Sequence, residues 1–311
     1  MHEDPLWLPP TRRSDIELSD AAIRSAVRRG RLVTLRRGVL VGRAAFDETG
    51  SDLRARHALL AQGAILATQG APAFACLGSA ALLHGFARLG RPPQRIRLYR
   101  ARGRPWRDSE VAILTCGLPD AHLTEAMNVP CTSAPRTVVD VARWVSFRGG
   151  MVVADSALRL GVERPALERV LRDCPRWPGI RKARSVIDFA DRKAASPLES
   201  VSRVVFHEHG LPPPELQLAV AWDEFGDPTI IVDFCWPEFG VVGEADGLLK
   251  YDQELDPERV SLRAEKLRQE AIEALDYIVV RWTWDDIWRR PEWVVARIRR
   301  AMAEGARRRT A

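Results

Sequence analysis

Cysteine is sparse in this chain of 311 residues, and the five present form no Cys-x-x-Cys pair and have no histidine at finger spacing. That excludes a disulfide scaffold and argues against a structural zinc site, so a reducing cytoplasm is the expected compartment. Lysine is nearly missing: Lys182, Lys193, Lys250 and Lys266 stand among 47 basic residues that are otherwise arginine. The start, Met1-His-Glu-Asp-Pro5, lacks the basic-then-apolar order of a secretory signal. Long hydrophobic runs are lacking as well. No charged side chain occurs from Ala58 to Phe86, but Gln62, Thr68, Gln69, Gly70 and Pro72 divide the stretch. Two closely packed core helices are expected there, and no membrane partner.

What is present is ordinary globular material: 46% hydrophobic and 28% charged residues rule out wholesale disorder and suit two or three domains. The charge is uneven. Up to Ser196 the chain carries 32 basic and 19 acidic residues, and from Pro197 onward 15 and 22. A positive front is what a phosphate polymer attracts, although such a surplus is also the usual dress of a solvated surface.

Three segments are expected: 1–50, a short DNA-binding unit; 51–195, a mixed α/β middle; and 196–311, a second α/β domain. In the first, Ser19 can cap a helix with Ile23 and Val27 on its inner stripe, and Gly30 can end it. Leu32 to Leu35 and Val39 to Val41 then read as a hairpin turning at Gly38. No acid occurs from Ala21 to Arg43, while Arg24, Arg28, Arg29, Arg31, Arg36, Arg37 and Arg43 do. Helix followed by wing, charged on one side, points to DNA: Arg24 and Arg28 on the helix, Arg36 and Arg37 touching phosphate from the hairpin tip. In the middle segment Arg95 to Arg100 alternates as a strand with a wet face, and Val111 to Thr115 reads as its partner. His84, Arg136 and Asp140 read as structural hydrogen-bonding residues rather than as catalysts.

The last third predicts the order αβββαβα. Ser196-Pro-Leu-Glu-Ser200 opens a helix, with strands at 216–221, 229–235 and 241–245. A helix near 257–274, a strand at 277–283 and a helix from Pro291 follow. If Trp236 pairs with Val241, Asp233 falls opposite Glu244, and Asp246 shares the face of Glu244. Like charges in that position destabilise a sheet unless a cation offsets them. Mg²⁺, or Mn²⁺ in its place, held by Asp233 and Glu244 with Lys250 near, suits phosphodiester hydrolysis. A solvated acidic hairpin partnered by Arg281 or Lys266 is the alternative.

The run Ser196-Pro-Leu-Glu-Ser200, Gln217, Val232-Asp-Phe234, Gly243-Glu-Ala-Asp-Gly247 and Val280-Arg-Trp-Thr-Trp284 resembles the endonuclease-like domain of very-short-patch-repair relatives, within the PD-(D/E)xK phosphodiesterase superfamily. The resemblance implies a restriction-endonuclease-like fold, metal-ligand roles for Asp233 and Glu244, a supporting acid at Glu199 and a polar role for Gln217. Asp246 stands where the superfamily places lysine, and Lys250 where relatives often place histidine. The front part resembles AbiEi-like antitoxins and regulators that carry a short winged helix. The matching stretches are 23–41, Ser79-Ala-Ala-Leu-Leu-His-Gly85 and Thr132-Ser-Ala-Pro-Arg-Thr-Val-Val-Asp140. This implies DNA binding and leaves any toxin partner unidentified. Two readings follow: a DNA-binding protein with a Mg²⁺-dependent endonuclease site, or a non-enzymatic regulator or antitoxin built on the nuclease-like scaffold. A third is a protein-interaction module using Trp282, Trp284, Trp288 and Trp293, tryptophans that equally suit packing of the last helix.

Overall fold

The computed structural model describes residues 5–68, 70–222, 228–247 and 268–310. Lys250, Lys266 and most of the helix expected at 257–274 lie outside them. The protein is of the α/β class, with three sheets among the described residues. It forms two compact units: Met1–Val153 with Leu160–Asp188, and Ala154–Arg159 with Phe189–Ala311. No helix among the described residues is long and apolar enough to cross a membrane.

The first unit begins with a helix and wing. The Ser19 hydroxyl accepts the Ala22 N–H and starts α1 (Asp20–Arg28), which stops at Gly30 with φ +69°. Ile23 is buried against Leu32 and Leu40 with Ala26 beside it, whereas Val27, expected inside, is exposed. Ala26, at i+3 from Ile23, takes the inner place, and Val27, at i+4, lies at the solvent edge of the stripe. The hairpin pairs β2 (Leu32–Arg36) with β3 (Val39–Gly42) around Gly38, φ +79°. A third strand, β1 (Thr11–Arg12), pairs with β3, so the proline-rich start joins the sheet.

Next come α2 (Arg43–Glu48), α3 (Leu53–Ala67) and a six-stranded mixed sheet. Its strands are β4 (Ala73–Ala75), β5 (Ile96–Arg100), β6 (Trp106–Arg107), β7 (Val111–Thr115), β8 (Leu123–Ala126) and β9 (Val129–Thr132). They are ordered β6-β7-β5-β4-β9-β8. Ile96, Leu98, Val111 and Ile113 pack on Ala58, Ala61 and Ala64 of α3. The two core helices expected between residues 58 and 86 are α3 and α4 (Leu77–Leu83), but β4 intervenes. β5 and β7 are partners, in parallel. The expected wet face of β5 is only partly wet, because Tyr99 is buried against Cys76 and Leu77.

Helix α5 (Ala134–Trp144) carries the two charges that the sequence marks as structural, and both are fully buried. Arg136 donates to Asp140 at 2.7 Å, bonds His122 Nδ1 at 2.9 Å and lies 4.3 Å from the Trp177 ring centroid. Arg143 donates to the other Asp140 oxygen at 2.8 Å. Burial raises the Asp140 carboxyl, and the two guanidinium groups oppose that rise. His84 bonds the Thr132 carbonyl at 2.8 Å. Three more helices, α6 (Phe147–Arg159), α7 (Arg164–Asp173) and α8 (Ile180–Phe189), follow.

The second unit is built on a four-stranded sheet ordered β10-β11-β12-β13. Helix α9 (Pro197–Glu208) precedes β10 (Glu215–Trp222), β11 (Pro228–Trp236) and β12 (Val241–Asp246). After α10, described over 268–273, come β13 (Ile278–Thr283), α11 (Trp284–Arg289) and α12 (Pro291–Thr310). The expected order gains one helix, α11, started by a capping box between Thr283 and Asp286. The core is aromatic: Phe206, Phe234, Trp236 and Trp282 stand with ring centroids 5.3 to 6.5 Å apart. A side chain at Gly243 would come within 2.6 Å of the Trp282 ring, which explains that glycine by close approach. Of the four late tryptophans only Trp282 is buried, while Trp288 and Trp293 are exposed.

Breaking a buried, hydrogen-bonded ion pair by removing one partner costs about 3 to 5 kcal/mol. Arg136→Met is therefore expected to lower the unfolding free energy of the first unit by about that much. Urea denaturation followed by circular dichroism checks it, and a loss no larger than that of an exposed arginine would refute the structural assignment.

Candidate functional site

The acids gather where the ladder between β11 and β12 opens. The register runs Trp236↔Val241, Cys235↔Val242 and Phe234↔Gly243, as the hairpin pattern predicts. The next rung would pair Asp233 with Glu244. Instead the Asp233 Oδ2 accepts the Ala245 N–H at 2.8 Å, so a side chain takes the place of a backbone partner.

Helix α9 supplies Glu199. Ser196 caps that helix by accepting the Glu199 N–H, and the Glu199 carboxylate turns back to accept the Ala195 N–H at 2.9 Å. From β10 comes Gln217, whose Nε2 donates to Glu199 Oε2 at 3.0 Å and to Asp233 Oδ1 at 3.3 Å. One amide thus ties two acids from different elements. The Gln217 backbone sits at φ +50° within a strand, a conformation that costs a residue with a Cβ about 1 to 3 kcal/mol.

Glu244 meets Arg268 of α10 at 3.1 Å. Ile272 of α10 lies in the core cluster with Val232, Cys235 and Val242, which places that helix along the sheet. Arg281 of β13 is the register partner of Glu244 and adds positive potential to it. Asp246, half-buried, stands level with Thr283. The structure thus links Glu199, Gln217 and Asp233 by hydrogen bonds and places Glu244 where it feels the charge of Asp233. Asp246 is two residues further along β12, and Lys250 is outside the described residues.

Burial raises the carboxyl groups of Glu199, Asp233 and Glu244 above their ordinary values. The charge of Asp233 pushes both glutamates further in the same direction. Backbone N–H groups, Gln217 and Arg268 act the other way. Among the described residues no three His, Cys, Asp or Glu side chains gather into a metal cage. Asp233 and Glu244 are oxygen donors of the type that Mg²⁺ takes, an ion that keeps several waters and is commonly held by one or two carboxylates plus a phosphate.

In the first unit, Arg24, Arg28, Arg29, Arg31 and Arg37 are exposed around α1 and the hairpin. Arg36 is not available at the tip: its guanidinium bridges Asp108 and Glu110, each at 2.6 Å. Arg43 donates to the Gly30 carbonyl at 3.1 Å. Sequence reasoning missed Arg268, since no local pattern marks a helix residue that meets a strand 24 positions away.

No protein-family model matches the chain, and no solved structure matches it. Two proteins from strains of Mycobacterium tuberculosis, the uncharacterized proteins MT2308 and Rv2248, are each 30% identical to it over 232 residues. The aligned part covers 74% of this chain and 82% of each relative. The chain belongs to the same family as these two mycobacterial proteins.

A carboxyl whose pKa is higher in the folded state makes the native fold the better proton binder between the unfolded and folded values. Stability is then greatest below that window and falls as pH rises through it. Replacing Glu199 by Gln is expected to flatten part of this slope and to leave the protein as stable as wild type, or more so, at neutral pH. Melting curves across the acid range test this. A variant that is less stable at neutral pH with an unchanged slope would contradict the assignment.

Proposed function

We propose that this is a DNA-binding protein of the cytoplasm whose second unit carries a Mg²⁺-dependent phosphodiesterase site. The observation that supports this most is the linked set Glu199, Gln217 and Asp233 with Glu244 beside it. It is an arrangement of mutually repelling, partly buried acids that the fold maintains at a cost in stability. Asp233 and Glu244 would hold the ion, with Mn²⁺ as an alternative. When bound, such an ion lowers the pKa of water and offsets charge on an attacked phosphate. The chain's own residues do the rest. Gln217 fixes the orientation of Asp233, Glu199 fixes that amide, and Arg268 and Arg281 supply positive potential that attracts a phosphate.

A second reading has its own support. Arg268 already offsets the charge of Glu244, so the sheet stands without a metal ion. The exposed arginines around α1 then suit a regulator or antitoxin that binds DNA without cutting it and meets a protein partner such as a toxin. The expected results separate the two. If the phosphodiesterase reading holds, wild-type protein nicks supercoiled plasmid in Mg²⁺ or Mn²⁺, and Glu244→Gln loses about a hundredfold or more of that rate together with metal uptake by calorimetry. Equal inactivity of both proteins, with no metal uptake, would leave the regulator reading.

Either reading expects the α1 arginines to engage phosphate. Arg28→Ala is expected to weaken duplex binding and to reduce the slope of log affinity against log salt by about 1. Arg36→Ala should lower stability instead, because it removes the partner of Asp108 and Glu110. Anisotropy titrations at several salt concentrations check both, and an unchanged slope for Arg28→Ala would remove α1 from the interface.

A further inference from the structure

The first unit contains a cleft of about 470 Å³ that the carboxylate site and the wing do not account for. Val111 and Ile113 of β7 line it with Ala64 and Ala67 from the end of α3. Trp106 of β6 pairs with Ile113, which puts the indole on the sheet face that α3 covers, at one side of the cleft. The indole is 48% exposed. Thr68 and two guanidinium groups, Arg36 and Arg100, complete the lining.

Both arginines are held in place. Arg36 is fixed by Asp108 and Glu110 and stands 6.0 Å from the Trp106 ring centroid, so that wall is preformed. Arg100 donates to the Arg104 carbonyl at 3.2 Å, and Gly103, at φ +109°, lies so close that a Cβ there would be 3.2 Å from the guanidinium. The loop therefore folds around the Arg100 head group. It also presents Arg102, Arg104 and Arg107, all exposed. No Asp or Glu occurs from Leu53 to Arg107, a longer acid-free stretch than the one around α1.

A cavity with an apolar floor, an indole wall and fixed cations selects a flat aromatic ring that carries a negative charge. A stacked base pair cannot enter such a space edge-on, whereas one unpaired base can lie on Trp106 with its phosphate toward Arg100 and the loop arginines. Asp108 and Glu110 offset Arg36, so the attraction for phosphate comes from Arg100 and the loop. We infer that this cleft binds a single nucleotide unit, base on Trp106 and phosphate on the Arg100 loop. The nucleotide is either free or part of an unpaired strand. The inference rests on the nucleic-acid reading only for the strand as a source, and it does not depend on the carboxylate site.

The test uses the full chain in EDTA, where a metal-dependent reaction cannot proceed and its absence has no bearing on the result. Binding of a fluorescein-labelled oligodeoxyadenylate and of a duplex of equal length is followed by anisotropy, with AMP as competitor. Trp106→Ala is expected to weaken single-strand binding about tenfold, within the range for loss of one base stack. Trp106→Phe should keep most of the affinity, and the duplex should bind both variants as it binds wild type. Competition by AMP supports a free nucleotide as the occupant, and oligonucleotide binding that AMP does not displace supports the strand. Single-strand affinity unchanged in Trp106→Ala, an equal loss on duplex, or no binding of either probe would overturn the inference.

Discussion

The bond from the Ala245 amide to the Asp233 carboxylate governs the second unit. It ends the β11–β12 ladder one rung early and gives the part-buried Ala245 amide an acceptor. It also fixes Asp233, so that its other oxygen takes the Gln217 amide and, through it, comes into line with Glu199. Below the opening, Phe206, Phe234, Trp236 and Trp282 fill the core, with the Trp282 indole donating to Ser202 at 2.8 Å. The acids are therefore anchored to a stiff base, which is what a constellation of fixed geometry needs.

The buried acids are held in two different ways. Asp140 has a guanidinium on each oxygen, from Arg136 and Arg143, and Asp155 has Arg203 at 2.9 Å. These are compensated charges, and removing one partner would leave the other buried and unpaired. Glu199 and Asp233 rely mainly on neutral donors: backbone N–H groups and one amide. Neutral donors hold a carboxylate in place without cancelling its charge, so the site keeps a negative potential that a cation or a proton can answer. That contrast separates the residues that hold the fold from those that carry the proposed chemistry.

Much of this was legible because it is periodic or local. The Ser19 and Ser196 caps, the Gly30 and Gly38 turns and the β11–β12 register follow from spacing and turn chemistry alone. The reading of Arg136 and Asp140 as structural agrees with their burial in one hydrogen-bonded network. What escaped depends on tertiary neighbours. Val27 lies at the exposed edge of its stripe because Ala26 takes the inner position, and Tyr99 is buried by a helix that period-2 alternation cannot anticipate. Arg36 carries the same sequence signal as Arg37, yet it is committed to acids more than 70 positions away. The capping box at Thr283 was a readable signal, hidden beneath the tryptophan pattern.

Gln217 joins two demands that pull in opposite directions. Its backbone occupies a region where glycine would be at ease, while its amide is the only link between Glu199 and Asp233 among the described contacts. Glycine there would relieve the backbone but take a donor from two buried carboxyls, a loss of about 1 to 3 kcal/mol that is as large as the strain removed. Position 217 is thus a place where the ease of the backbone and the joining of two acids are set against each other within one residue.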